Sequence, residues 1–162
     1  MLGGIPKPMN YETSKRGNKF VRSESRGATD WDTLKRIREK WKGKLIIKGV
    51  MSAEDALKIK SDGADAIQVS NHGGRQLDYG FGGADLIQPI SQVVKNKSKI
   101  FFDGGVCRGT DVVKAISLGA DCVGIGRLQC YAAATNGREG LNKMIDILTN
   151  EILVCMLSLI HI

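Results

Sequence analysis

Several features are scarce or missing in this 162-residue sequence, and each absence excludes a class of protein. No apolar run approaches the roughly 18 residues that a membrane-spanning helix needs. The amino terminus lacks the charged start and apolar core of a signal peptide. The four cysteines show no CxxC spacing, which argues against a zinc site and against a disulfide framework. We therefore expect a cytoplasmic protein with reduced thiols and no bound metal.

The net charge of +7 does not indicate a nucleic-acid-binding protein. Residues 1–27 hold six lysines or arginines against two glutamates, so this polar segment carries +4 of the total. It lacks the interleaved basic and aromatic pattern of proteins that stack bases. We interpret residues 1–28 as a basic arm or loop of poor order, and residues 29–162 as the folded domain.

Beyond the arm, short apolar runs alternate with segments of helical spacing. Helical patterns cover residues 31–41, 53–63, 86–96 and 110–119. The apolar runs predict strands at Lys44–Gly49, Ala66–Asn71, Ile100–Gly105 and Cys122–Gly126. Four successive strand-helix units predict an α/β fold with a parallel sheet.

An internal repeat refines the predicted fold. Ser61–Asn71 and Ser117–Arg127 share the frame S-x-G-A-D followed by four mostly apolar residues. Repeated units of this kind favour a (β/α)8 barrel over a Rossmann sheet, because GIGRLQC lacks the third glycine of GxGxxG. A closed barrel takes eight strands and about 250 residues. The sequence therefore predicts the C-terminal half of a (β/α)8 TIM barrel, with about four parallel strand-helix units.

Chemically versatile residues follow each predicted strand. In a barrel the carboxyl ends of the strands converge on one face, where loops commonly hold a phosphate. The segments DGGVCRG and GIGR suit that role, since glycines let backbone N–H groups approach an anion and arginine adds a bidentate cation. The strand-end residues are Lys48, Ser70, His72, Asp103, Gly104, Gly105, Gly126 and Arg127.

Each of these residues also fits a purely structural role when taken alone. A strand-end lysine can extend its head to solvent, a loop histidine can be a satisfied polar residue, and glycines are common in turns. Their occurrence at successive strand ends favours one shared site.

The segments SNHGGRQLD, FFDGGVCRGTDV and GADCVGIGR, with KGV preceded by LII, resemble the C-terminal half of a known family. It is the FMN-dependent α-hydroxy acid dehydrogenase/oxidase family, which includes glycolate oxidase, L-lactate dehydrogenase and mandelate dehydrogenase. The resemblance covers roughly residues 30–157. It implies FMN-dependent oxidation of a small L-2-hydroxy acid to the 2-oxo acid, by an enzyme that is a homo-oligomer when complete.

The resemblance also implies a role for each site residue. His72 resembles the catalytic base, and Arg75 resembles the residue that binds the substrate carboxylate. Imidazole suits a base because its ordinary pKa lies near neutrality. The positions that resemble FMN-binding residues are Lys48, Ser70, Asp103, Gly104, Gly105, Arg108, Gly126 and Arg127.

Two departures from the family pattern leave alternatives open. The family has an arginine directly after DGGV, whereas this chain has Cys107 there and its arginine one residue later, at Arg108. The family's N-terminal half, with its first strands and substrate-contacting tyrosines, has no clear counterpart in residues 1–28. One alternative is a non-enzymatic half-barrel that binds a phosphate-bearing ligand or a partner. A weaker one is another phosphate-binding barrel, such as a type 2 isopentenyl diphosphate isomerase.

Overall fold

The computed structural model describes residues 30–77, 79–94 and 97–160. The predicted arm, residues 1–28, lies outside these ranges. The chain divides into two compact units, residues 1–36 and 37–162. The described part of the first unit, residues 30–36, contains the start of a helix, and Asp30, directly before that helix, accepts a hydrogen bond from the Thr33 N–H at 2.8 Å. The second unit holds the sheet and every predicted site residue.

Within the described residues, four strands form one parallel sheet in chain order. The strands are β1 (Ile46–Val50), β2 (Ala66–Val69), β3 (Lys99–Asp103) and β4 (Cys122–Gly124). The helices are α1 (Trp31–Lys40), α2 (Ala53–Ser61), α3 (Gly83–Val94), α4 (Gly109–Ser117) and α5 (Arg127–Ile160), and a 3-10 turn covers His72–Gly74. This arrangement confirms the predicted α/β fold of a partial barrel.

The core forms where β2 and β3 meet the apolar face of α3. Ile87, Ile90 and Val94 recur at intervals of three and four residues, so they share one face of α3, and all three are buried. Ile67 and Val69 of β2 are also fully buried. Burial of one such side chain stabilises the fold by about 1.5–3 kcal/mol. This packing fixes the sheet that carries the strand-end residues.

The S-x-G-A-D repeat has a structural role at the amino edge of the sheet. Asp65 accepts hydrogen bonds from Lys44 Nζ at 2.7 Å and from the Leu45 N–H at 3.0 Å. Asp121 repeats the pattern with Lys99 Nζ at 2.6 Å and with the next N–H at 2.9 Å. The lysine hydrogen bonds lower the pKa of both carboxyl groups. Each repeat aspartate therefore fastens its own strand to the start of the preceding strand.

Some element boundaries differ from the predicted ones. The first strand runs over Ile46–Val50 instead of Lys44–Gly49, and β4 ends at Gly124 because α5 begins three residues later. Helix α3 begins at Gly83, three residues before the predicted helical pattern at residues 86–96, so Pro89 lies beyond its first turn. Gly83 is buried against β3, and a Cβ there would lie 3.0 Å from the Phe102 ring. Close packing thus starts this helix earlier than its residue propensities suggest.

Candidate active site

A cavity of about 780 Å³ opens at the carboxyl edge of the sheet. Three cationic side chains and one carboxylate contribute to its wall, so its charge favours an anionic ligand. Of the predicted site residues, all except Ser70 and Arg108 line it: Lys48, His72, Arg75, Asp103, Gly104, Gly105, Gly126 and Arg127. The ends of four strands therefore meet at one site, as the barrel interpretation predicts.

A hydrogen-bonded cluster joins the ends of β1, β2 and β3 at the wall of the cavity. The Ser70 hydroxyl donates to Asp103 Oδ1 at 2.5 Å and accepts from Lys48 Nζ at 2.9 Å. Lys48 Nζ also lies 3.2 Å from Asp103 Oδ2. The Gln68 side-chain amide donates to the same oxygen at 2.5 Å. Both oxygens of this carboxylate are thus engaged, and Lys48 is fixed toward the cavity.

Asp103 carries the negative charge of this cluster. Partial burial alone would raise the pKa of its carboxyl group. The hydrogen bonds from Ser70 and Lys48, the lysine charge and the Gln68 hydrogen bond outweigh that effect, so the pKa of Asp103 lies below its ordinary value. Asp103 is therefore ionised near neutral pH and balances the charge of Lys48. Arg75 and Arg127 remain as the cations of the cavity wall that this carboxylate does not neutralise.

The loop after β2, residues 71–75, carries His72 and is called the histidine loop here. Its backbone is fixed and unusual. His72 has φ of 58°, a left-handed conformation that is uncommon for a residue other than glycine and recurs at functional sites. Its N–H donates to Ser70 Oγ at 3.1 Å, and Asn71 Oδ1 accepts from the Gly74 N–H at 3.2 Å. These contacts hold the loop at the end of β2. The imidazole is exposed to the cavity.

A bulge in β1 makes room for the imidazole. The register between β1 and β2 shifts between Lys48 and Val50, so Gly49 is the extra residue. Gly49 has φ of +93°, and a Cβ there would lie only 2.8 Å from His72 Cε1. Only glycine satisfies both the backbone angle and the close approach. The bulge therefore sets the position of the histidine ring.

The loop after β3 offers donors to an anion. Gly104 and Gly105 have φ of +114° and +73°. Within the described residues, neither backbone N–H donates a hydrogen bond to the chain. A Cβ at Gly105 or Gly126 would meet nothing within 4 Å, so the backbone is open to a ligand at both points. Free N–H groups on an exposed glycine turn suit a phosphate.

Arg127 links the loop after β4 to the histidine loop. It begins α5, directly after the loop that follows β4, and its Nη2 donates to the Gly73 carbonyl at 3.2 Å. The Arg127 side chain also lines the cavity. Arg127 thus connects the loop after β4 to the loop that carries His72.

Two predicted residues are not on the cavity surface. Ser70 is fully buried, and its hydroxyl makes the contacts with Lys48, His72 and Asp103 described above. Arg108 Nε donates instead to Glu151 Oε1 at 2.7 Å. Ser70 therefore organises the cluster from below, and Arg108 is turned toward α5.

Sequence reasoning missed several cavity residues. Gln68 had a usable signal, since it is the one polar residue in the strand AIQV, and it binds Asp103. Leu128 and Tyr131 of α5 also line the cavity, and no sequence motif marks them. Their position depends on how α5 packs, which is a tertiary property.

The described residues also bear on other kinds of site. They contain no group of three or more histidine, cysteine, aspartate or glutamate side chains placed to hold a metal ion. No helix in the same part of the chain is long and apolar enough to cross a membrane. The four cysteines are free thiols.

Comparisons with known proteins agree with this geometry. A family model described as FMN-dependent dehydrogenase matches residues 5–159, which includes most of the segment set apart above as an arm. An L-lactate dehydrogenase of Haemophilus influenzae is 44% identical over 126 residues, which is 78% of this chain and 33% of that protein. A peroxisomal (S)-2-hydroxyacid oxidase of Arabidopsis thaliana is 44% identical over 126 residues, 78% of this chain and 35% of its own length.

A solved structure shows the same fold. A mandelate oxidase with (S)-mandelic acid superimposes with a TM-score of 0.74 at 35% identity, over 76% of this chain and 37% of that one. This chain therefore spans about a third of the length of the relatives that it matches. These similarities confirm the resemblance seen in the strand-end motifs, and the chain belongs to the FMN-dependent dehydrogenase family.

Proposed function

We propose that this chain supplies the histidine and the phosphate loops of an FMN-dependent enzyme that oxidises a small L-2-hydroxy acid to the 2-oxo acid. The observation that carries this proposal is the shared cavity. His72 and Arg75 face the same space as the glycine loops after β3 and β4. A base, a carboxylate-binding cation and an anion-binding backbone are thus brought together by one sheet edge.

The residues present fit a phosphate-bearing flavin. The N–H groups of Gly104 and Gly105 are free within the described chain, and Arg127 adds a guanidinium. We infer that these groups, with the open backbone at Gly126, hold the FMN phosphate. Lys48, held by Ser70 and Asp103, supplies a positive charge at the same cavity. FMN, when bound, would accept the two electrons that leave the substrate.

His72 and Arg75 have complementary tasks toward the substrate. The exposed His72 imidazole would take up a proton that the hydroxy acid releases as it is oxidised. Its orientation is restricted by the left-handed backbone and by the contact with Gly49. Arg75, exposed at the same cavity, would bind the substrate carboxylate through two parallel hydrogen bonds. Binding the carboxylate fixes the distance between the reacting carbon and the base.

We also infer that the 162-residue chain by itself is a cytoplasmic protein that associates through its open sheet edges. In the described sheet, β1 and β4 each pair with a single strand, and Ile46 at the β1 edge is 45% exposed. Unpaired strands and exposed apolar side chains favour association. Free cysteines are typical of a reducing compartment. Sedimentation velocity at several concentrations tests the association.

The function is tested by flavin reduction. The chain would be joined to the N-terminal part of a family member, loaded with FMN and mixed anaerobically with L-lactate or glycolate. We expect the visible absorbance of the oxidised flavin to bleach with L-lactate or glycolate and to persist with D-lactate. Bound FMN that no 2-hydroxy acid reduces would contradict the proposal and favour the non-enzymatic half-barrel.

A further inference from the structure

Glu151 contacts the end of the loop that follows β3 from a distant part of the chain. It lies on α5, and its Oε2 accepts from the Gly109 N–H at 2.6 Å, across 42 residues of sequence. Its Oε1 accepts from Arg108 Nε at 2.7 Å. The Glu151 side chain is only 22% exposed. One partly buried carboxylate therefore joins both the side chain and the backbone at the start of α4.

The start of α4 is packed directly onto α5. A Cβ at Gly109 would lie 2.6 Å from Glu151 Cβ and 2.7 Å from the Ile152 backbone nitrogen. Leu148, one helical turn earlier on α5, is buried, and its carbonyl oxygen would lie 2.5 Å from the same Cβ. Only glycine permits this approach. Glu151 thus has little freedom to move relative to the loop.

A second carboxylate occupies the remaining donors at this end of the loop. Asp111 Oδ2 accepts from the Cys107 N–H at 3.0 Å and from the Arg108 N–H at 2.9 Å. With the Gly109 N–H bound to Glu151, all three N–H groups at 107–109 are occupied. Among the described residues of this loop, the N–H groups that stay available for an anion are those of Gly104, Gly105 and Val106.

The loop after β3 is held by hydrogen bonds at both of its ends but not in its middle. Asp103 fixes the β3 end through Ser70 and Lys48, and Glu151 fixes the α4 end. The two glycines between these anchors have large conformational freedom in an untethered chain. Anchoring lowers the entropy that is lost when the glycine N–H groups are ordered around a ligand.

We propose that Glu151 is a positioning residue for the phosphate of FMN. It does not touch the ligand; it orients the Gly104 and Gly105 N–H groups through Gly109, and it keeps Arg108 out of the cavity. This inference rests on the proposed binding of FMN at this site. It differs from the sequence-based prediction for Arg108, in which that guanidinium contacts FMN directly.

The test compares FMN with riboflavin, which lacks the phosphate. Dissociation constants of both would be measured by fluorescence quenching for the full 162-residue chain and its variants. We expect Glu151→Ala to weaken FMN binding by about tenfold, roughly 1.4 kcal/mol, and to leave riboflavin binding within about twofold. Glu151→Gln keeps one oxygen for the Gly109 N–H, so its loss should be smaller. A general loss of folding would weaken both flavins equally.

Two further variants make the comparison specific. Glu139→Ala removes a carboxylate from the same helix that accepts from Asn136 at 2.8 Å, and it should change neither constant. Arg108→Ala should reduce the FMN preference less than Glu151→Ala does. If Arg108 touches the phosphate instead, its removal would weaken FMN binding strongly and Glu151→Ala would release it and tighten FMN binding.

The possible failures are distinguishable. An unaltered chain that binds riboflavin as tightly as FMN has no phosphate site, which would overturn the proposed function and this inference together. An unaltered chain that prefers FMN, with the same preference in Glu151→Ala and Glu151→Gln, would overturn the role of Glu151 alone. If Glu151→Ala does not show a cooperative thermal transition, the ratio of the FMN and riboflavin dissociation constants of Glu151→Gln decides whether Glu151 has this role.

Discussion

Lys48 Nζ and Asp103 Oδ2 lie 3.2 Å apart although their strands, β1 and β3, are separated by β2 in the sheet. The contact crosses the end of β2, where Ser70 binds both partners. The Asp103 side chain is 19% exposed, so the pair is shielded from solvent on one side. It fixes the carboxyl edge of three strands at the point where the cavity begins.

The pairing predicts a pH dependence of stability. Because the pKa of Asp103 is lowered in the folded chain, its carboxylate stabilises the fold above the pKa of an unfolded aspartate, about 3.9. That stabilisation disappears as pH falls through the folded-state pKa. We expect Asp103→Asn to lower the free energy of unfolding by about 1–3 kcal/mol near neutral pH. Thermal unfolding midpoints between about pH 2 and pH 7 would measure it.

The difference in thermal unfolding midpoint between the unaltered chain and Asp103→Asn should be constant above about pH 5 and shrink below about pH 4. Asp146→Asn, at an exposed position of α5, is the control and should show no such trend. Parallel curves for the unaltered chain and Asp103→Asn over the whole range would contradict the assignment.

The bulge at Gly49 should tolerate no side chain. Gly49→Ala introduces a methyl group 2.8 Å from His72 Cε1 in a backbone conformation that alanine disfavours. Gly74→Ala is the matched control, since Gly74 also has positive φ, of +73°, but a Cβ there would meet nothing within 4 Å. Backbone strain of this kind costs about 1–3 kcal/mol. We expect Gly49→Ala to destabilise more than Gly74→Ala does, and to shift the His72 ring resonances in NMR spectra.

Equal loss of stability in the two variants, with unmoved histidine resonances, would show that the bulge does not position His72.

The strand-end residues were predictable because three physical signals agree in the sequence. Apolar runs mark the strands, turn glycines mark their ends, and parallel topology brings those ends to one edge. Lys48, His72 and Asp103 therefore meet as predicted. The fold class followed from the same alternation of strands and helices.

Other features depend on tertiary contacts that no local pattern encodes. Glu151 reaches Gly109 across 42 residues, and only the packing of α5 on α4 brings them together. Ser70 was predicted to contact the cofactor. Its buried position depends instead on its hydrogen bonds with Lys48 Nζ and Asp103 Oδ1. The left-handed φ of His72 likewise results from the surrounding hydrogen bonds. The residues of the site were thus more predictable than their contacts.

Cys107 occupies the position, directly after DGGV, at which the family that the sequence resembles has an arginine. Cys107 lines the cavity, so an arginine there would face the proposed phosphate site. A charged hydrogen bond contributes about 1.5–3 kcal/mol. We therefore expect Cys107→Arg to tighten FMN binding by about tenfold to a hundredfold, and to leave riboflavin binding unchanged.

Cys130→Arg is the matched control, because it adds the same charge at another point of the cavity wall. Tightening of FMN by the two variants alike would indicate a general charge effect and not a specific phosphate contact. Equal FMN dissociation constants for Cys107→Arg and the unaltered chain would contradict the placement of the phosphate beside this loop.

His72 should be required for flavin reduction but not for flavin binding. In the joined, FMN-loaded protein, His72→Asn keeps a residue that tolerates the left-handed backbone while it removes the base. We expect its rate of flavin reduction by the hydroxy acid to fall by about a hundredfold or more. Its flavin content after purification should match that of the unaltered protein. Stopped-flow absorbance gives the rate, and a near-normal rate would remove His72 from the reaction.

The most direct test of the central claim is to locate the flavin phosphate on the chain. Backbone amide NMR spectra of the ¹⁵N-labelled 162-residue chain would be recorded during titration with FMN and, separately, with riboflavin. We expect FMN to shift the amide signals of Gly104, Gly105 and Gly126, the open backbone of the cavity, and riboflavin to leave these signals nearly in place. Shifts that FMN causes elsewhere, or identical shifts with both flavins, would contradict a phosphate site at the carboxyl edge of this sheet.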